Sequence, residues 1–161
     1  MVKIVGIDPG LAGTGIGVIQ GERGDVQKYS FGSISTDKKD PTCLRLNTIY
    51  IKISEFLKDE NPDLVVIEDI YSLEKYPKSG IMLGKVVGVL LLASYQVGVK
   101  IEEVSVREVK KVVSGNGNAD KYQVEEATRH ILNHNQPIRP FHASDALALA
   151  LTGLFRYESY L

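Results

Sequence analysis

Residues 64–70 read "LVVIEDI", and residues 3–10 read "KIVGIDPG". Each is a short apolar run that breaks off on a carboxylate, Glu68 in one and Asp8 in the other. Runs of four to eight apolar residues bounded by turn signals read as buried strands. From Cys43 to Leu57 the residues Leu46, Ile49, Tyr50, Ile53, Phe56 and Leu57 recur at helical spacing, and the proline of "DENPD" stops that helix. Two strands of one sheet joined through a helix normally run parallel. The two runs are therefore expected to lie side by side and to finish on the same rim of the sheet.

Working outward, "GTGIGVIQ" and "VQKYSFGSIS" read as two further strands about the turn-like "GERGD", continuing residues 2–8 as an antiparallel meander. Downstream, "GIMLGKVVGVLLLASYQVG" has the length and apolar richness of a buried helix, and "KIEEVS" supplies a fifth strand. Two helices follow, around Val106–Val113 and Asp120–Leu132, joined by the glycine-rich "SGNGNADK". In the last helix Ala143, Ala146, Leu147, Ala150, Leu151 and Leu154 make one apolar stripe. The pattern predicts an α/β fold with a mixed sheet of about five strands flanked by helices, as a single domain over residues 1–161.

Composition sets bounds on function. A chain of 161 residues with 43% hydrophobic and 24% charged residues has enough apolar material for one ordinary core. The longest apolar run is broken by glycine and falls short of the roughly 20 residues of a membrane span, so no membrane association is expected. Met1 feeds directly into a strand pattern without a leader, and the expected location is the cytoplasm. Cys43 is the one cysteine, and its place on an apolar helix face predicts a buried structural thiol. A net charge of −1 argues against a protein that coats nucleic acid through a global basic excess. A local patch is available at 107–121, where Arg107, Lys110, Lys111 and Lys121 outnumber Glu108 and Asp120; a solvated helix face is the competing reading.

The strand-end acids carry the chemistry. Asp8 shares a face with Ile4, and Glu68 shares one with Leu64 and Val66, so as neighbours the two carboxylates emerge together. The C-terminal rim of an open α/β sheet is where ligands bind, and unpaired carboxylates repel unless a cation or proton intervenes. Hard divalent ions need several oxygen ligands. The last helix opens with "FHASDALA", which places His142 and Asp145 three residues apart on one face, within reach of that rim. Asp8, Glu68, His142 and Asp145 together would suit two divalent ions acting on a phosphodiester, which is nuclease chemistry. Taken singly, each also reads as an ordinary turn, first-turn or surface residue.

With these pieces in order, "IDPGLAGTGIGVI", "IEDIYS", "LGKVVGVLLLA", "VKKVVSGNGNADKYQV" and "HASDALALAL" resemble the bacterial RuvC Holliday-junction resolvases, which have a ribonuclease-H-like fold. The resemblance runs from Ile7 to about Leu154. It implies a homodimeric endonuclease, dependent on Mg²⁺ or Mn²⁺, that makes paired symmetric nicks in four-way DNA junctions during recombination and repair and leaves 5′-phosphate and 3′-hydroxyl ends. It also implies that Asp8, Glu68, His142 and Asp145 are the metal-binding catalytic residues, with two ions per site. Lys110 and Lys121 match basic residues near the scissile phosphate or the DNA backbone, and Tyr71 matches an aromatic position that meets unstacked bases. Gly115 and Gly117 between the lysines would let backbone approach DNA. Gly84 and Gly88, on one face of the helix beginning near Ile81, match a helix the family uses in its dimer interface; packing on the protein's own sheet is the alternative. A branch-migration complex is a partner through the resemblance alone. Glu74 and Pro77 have no role derivable from the sequence.

Three other readings share these residues. A ribonuclease-H-like nuclease acting on RNA or an RNA·DNA hybrid uses the same acids, and a noncatalytic scaffold would bind junctions without cutting. An actin-like nucleotide hydrolase shares the Asp-x-Gly turn but would need a second lobe.

Overall fold

A computed structural model of the chain describes residues 1–70 and 77–161. The strands are β1 (Val2–Asp8), β2 (Gly13–Glu22), β3 (Asp25–Ser35), β4 (Leu64–Asp69) and β5 (Lys100–Ser105). The helices are α1 (Thr42–Glu60), α2 (Pro77–Val97), α3 (Val106–Ser114), α4 (Lys121–Ile131) and α5 (Phe141–Tyr157). The described strands form one sheet in the order β3-β2-β1-β4-β5. β1 pairs antiparallel with β2 and β2 with β3, whereas β1 with β4 and β4 with β5 are parallel. This is the mixed five-stranded plan that the apolar runs predict.

Strand alternation sorts the core onto the two faces of the sheet. Val5, Ile7, Val65 and Ile67 join Ile49, Ile53 and Leu57 of α1 and Val86, Leu90 and Ala93 of α2. On the other face Ile4, Leu64, Val66 and Val104 meet Leu147, Leu149 and Leu151 of α5, with Val109 of α3 and Val124 of α4 packed alongside. Each fully buried aliphatic side chain of this kind contributes about 1.5–3 kcal/mol.

Local signals fix the helix ends. Asn61, at φ 46°, closes α1 in the left-handed region, and its N–H reaches the Leu57 carbonyl. Ser105 caps α3 by accepting from the Glu108 N–H. Asp120 and Gln123 form a reciprocal capping box at the start of α4. Gly115 takes φ 77° as the cap of α3, and a Cβ on Gly117 would stand 2.9 Å from Arg107 Cγ, so both glycines have structural duties in this loop.

Three expectations need correction. Cys43 is exposed, because α1 turns that residue away from the sheet. α2 is only half-buried: it is long and apolar enough by composition to cross a membrane, and it packs Val86, Leu90 and Ala93 inward while Ile81, Leu92 and Tyr95 stay exposed. In α5 every residue from Ala143 to Leu154 except Asp145 is buried, so the single stripe is an all-round burial between the sheet on one side and α3 and α4 on the other.

Candidate active site

The parallel register of β1 and β4 pairs Ile4 with Leu64 and Ile7 with Ile67. One residue further on, Asp8 and Glu68 leave the sheet next to each other at its C-terminal rim. Both lie on the face that α5 covers. What brings the third acid to them is a seat of glycines. A Cβ on Gly6 would stand 2.0 Å from the Ala146 carbonyl oxygen, one on Gly15 1.9 Å from the His142 carbonyl oxygen, and one on Gly17 2.5 Å from the Leu147 nitrogen. With no side chains there, the backbone of α5 lies directly on β1 and β2, and Asp145 in its second turn reaches the rim.

Asp8, Glu68 and Asp145 thus line one cavity of about 300 Å³, together with Lys110 of α3, Lys121 of α4 and the apolar walls Val106, Val109, Val124 and Leu149. Its electrostatics are those of crowded acids in a partly dry cleft. Burial, then Glu68 and Asp145, push Asp8 up to about 8. Glu68 rises to about 7 through burial and Asp145, with Lys110 pulling the other way. Asp145 rises to about 6 through burial, opposed by Lys110 and Lys121. The order is physical: the acid raised by two acidic neighbours is raised most, and the acid faced by both lysines is raised least.

The donor set fits a hard divalent cation: carboxylate oxygens whose mutual repulsion a cation would relieve. Among the described residues no three His, Cys, Asp or Glu side chains close around a common point as they stand. The carboxylates line an open cleft, in which an incoming phosphate oxygen and water would complete a coordination shell. His142 is the fourth expected ligand. It does not line this cavity, and its imidazole lies over Gly13, where a Cβ would be 2.9 Å from Nε2. Tyr71 and Glu74 lie outside the described residues.

Sequence reading passed over a set of side chains beside Lys121. The Lys121 Nζ stands 4.9 Å from the centroid of the Phe141 ring and 5.3 Å from that of Tyr122, and the two rings meet edge to face at 5.2 Å. Arg139 lies over the same Phe141 ring, its Cζ 4.1 Å from the centroid. These residues come from different segments, and no local motif links them.

Comparison with known proteins agrees with this geometry over its whole extent. The family model described as "Crossover junction endodeoxyribonuclease RuvC" matches residues 4–153. The crossover junction endodeoxyribonuclease RuvC of Carboxydothermus hydrogenoformans is 37% identical over 160 residues, covering 99% of this chain and all of the relative. That of Caldanaerobacter subterraneus subsp. tengcongensis is 34% identical over 150 residues, covering 93% of this chain and 90% of the relative. Among solved structures, Thermus thermophilus RuvC superposes with a TM-score of 0.86 at 28% identity, covering 98% of this chain and 96% of the other. The same protein in complex with a Holliday junction substrate gives 0.87, covering 99% and 97%. Fold and sequence match along nearly the full length, and the chain belongs to the RuvC family of crossover junction endodeoxyribonucleases.

Proposed function

We propose that this chain is the nuclease that resolves four-way DNA junctions by paired nicks, with Asp8, Glu68 and Asp145 as its metal-binding catalytic carboxylates. The observation that carries the reading is the convergence of three carboxylates with elevated pKa and two lysines on the C-terminal rim of the sheet. Family membership implies use of a divalent metal. We assign that role to Mg²⁺, with Mn²⁺ as a substitute and two ions per site. When bound, such ions supply Lewis-acid charge at the phosphate and a nucleophile at neutral pH.

The chain's own residues do the rest. Asp8 and Glu68, fixed on adjacent strands, hold one side of the cleft rigidly, and Asp145 closes it from the helix above. The rigid strands keep these oxygens from relaxing apart, which is how a fixed site lowers the cost of organising charge during reaction. Lys110 and Lys121 supply positive charge to phosphate oxygens and to the negative charge that develops on cleavage. Val106, Val109, Val124 and Leu149 exclude water behind the acids and keep the local dielectric low. We keep His142 in the site as a fourth ligand, and Tyr71 as a base-contacting residue.

The substrate has near-twofold symmetry, and a twofold dimer presents the same cleft twice. We place the dimer contact on the outer face of α2. Ile81, Gly84, Gly88, Leu92 and Tyr95 share that face; a Cβ on Gly84 or Gly88 would meet nothing within 4 Å among the described residues, and Ile81, Leu92 and Tyr95 are exposed. A cytoplasmic location, with the DNA, follows from the same reading.

The test is single-turnover cleavage of an end-labelled four-way junction beside linear duplex and an RNA·DNA hybrid, in Mg²⁺, Mn²⁺ or chelator, with Asp8→Asn as control. Symmetric nicks in the junction alone, lost with chelator and in the mutant, are expected. Cleavage confined to the hybrid would move the assignment to a ribonuclease, and tight binding without cuts under both metals would leave a scaffold.

A further inference from the structure

Arg139 is held in an unusual amount of detail for a half-exposed side chain. Its guanidinium lies on the Phe141 ring, with Cζ 4.1 Å from the centroid, and its Nη1 donates to the Ile138 carbonyl at 2.8 Å. The same Nη1 stands 3.9 Å from Oε1 of Glu125, which is buried. That oxygen is already committed. It accepts the Ile138 N–H at 2.9 Å and pairs more closely with Arg129 Nε at 3.2 Å.

Three basic side chains gather about Phe141. Lys121 and Arg139 both lie over its ring, and Arg129 stands behind them on Glu125. The nearby Asp120 spends its Oδ1 on the N–H groups of Tyr122 and Gln123 at the start of α4. Two cations therefore share one aromatic ring, and the Glu125 oxygen beside Arg139 is engaged by a third. Arg139 still keeps 47% of its side chain open to solvent. Lys121, its companion on the ring, lines the catalytic cleft. Lys121 faces the acids of that cleft, whereas the stacked guanidinium of Arg139 beside it is open on one side to an anion brought by the ligand. The planar fork of a guanidinium matches phosphate oxygens, and stacking on an aromatic ring reduces the freedom lost on binding.

We propose that Arg139 is a further phosphate-binding residue, which takes a backbone phosphodiester of the strand that passes Lys121 into the cleft, and that Phe141 is the shared seat positioning both cations. The proposal rests on the nuclease reading above. Phe141 is also the first residue of α5, the helix that carries Asp145, so the seat couples the path of the strand to the position of a catalytic acid.

The experiment is equilibrium binding of the full chain to a labelled four-way junction in chelator over a series of salt concentrations, joined to single-turnover cleavage in Mg²⁺ over a range of enzyme concentrations. Arg139→Gln should bind roughly five- to twentyfold more weakly, and the slope of log affinity against log salt should fall by about one. In cleavage, the half-saturating concentration should change more than the maximal rate. Phe141→Leu should move affinity and slope in the same direction, and Phe141→Tyr should restore them. Wild-type affinity and slope in Arg139→Gln would overturn the proposal, as would loss of binding in Phe141→Leu with none in Arg139→Gln. If Arg139→Gln does not fold, Arg139→Lys decides: the proposal expects weaker binding with the wild-type slope, and unchanged affinity refutes the role of the fork. If the wild type prefers duplex or hybrid, the junction reading fails, while the salt slopes on that ligand still judge Arg139.

Discussion

At Asp8, burial and two neighbouring carboxylates all oppose ionisation, and its folded pKa stands near 8. The folded chain therefore keeps a proton there over a range in which the unfolded chain has lost it. The unfolded state binds fewer protons, so stability falls as pH rises from about 4 toward about 8; below the ordinary carboxylate value the penalty is absent. In chelator near pH 8, Asp8→Asn should melt above wild type, by roughly 2–4 °C for each kcal/mol of repulsion relieved, and near pH 4 the two should melt together. Mg²⁺ should raise the wild-type melting temperature and leave the mutant almost unmoved. A mutant that melts below wild type near pH 8 in chelator would show that Asp8 is not under this strain. In cleavage assays Asp8→Asn and Asp145→Asn should each lose on the order of 10²-fold or more, with junction affinity in chelator kept within a small factor. Lys110 lowers both Glu68 and Asp145, so Lys110→Ala should slow cleavage and move the acidic limb of the rate profile to higher pH. An acidic limb at the wild-type position would separate Lys110 from these acids.

At the scale of elements, the close contact of α5 with β1 and β2 decides whether the acids meet. A methyl group on Gly17 would press on the backbone nitrogen of Leu147, which has no flexible end to yield. Gly17→Ala should destabilise by about 1–3 kcal/mol or more through overpacking, whereas Gly32→Ala, whose Cβ would meet nothing within 4 Å among the described residues, should be close to neutral. Chemical denaturation of the two variants side by side checks this. Apolar runs, helical periodicity and the proline after α1 made the elements readable from the sequence, within a few residues at their ends. The environment of α5 was not readable in the same way. Ser144, Thr152 and Gly153 look polar or neutral in a periodicity count, yet all three are buried because the helix is covered on both sides. Similarly, Cys43 lies beside apolar neighbours in sequence but faces outward, since one residue turns a helix by a large angle.

For the whole molecule, the outer face of α2 is the surface proposed for contact with a second copy. Leu92→Glu would place a charge in the proposed contact, and sedimentation at micromolar concentration should show the dimer giving way to monomer. A dimer that persists unchanged would move the contact elsewhere. The meeting of Asp8, Glu68 and Asp145 was legible because strand direction and helix position follow from chain order. The ring position of His142 and the sharing of Phe141 by Lys121 and Arg139 were not, because each depends on packing between segments that no local pattern links.

The acids also come from well-separated parts of the chain, and the last of them arrives on the last long helix. During synthesis β1 and β4 both emerge before α5, whose residues 141–157 cover the glycine face of the sheet. A nascent chain that has folded its sheet therefore holds two of the three carboxylates. With Asp8, Glu68 and Asp145 as the proposed catalytic carboxylates, an incomplete polypeptide would lack the third of them and would not cut DNA.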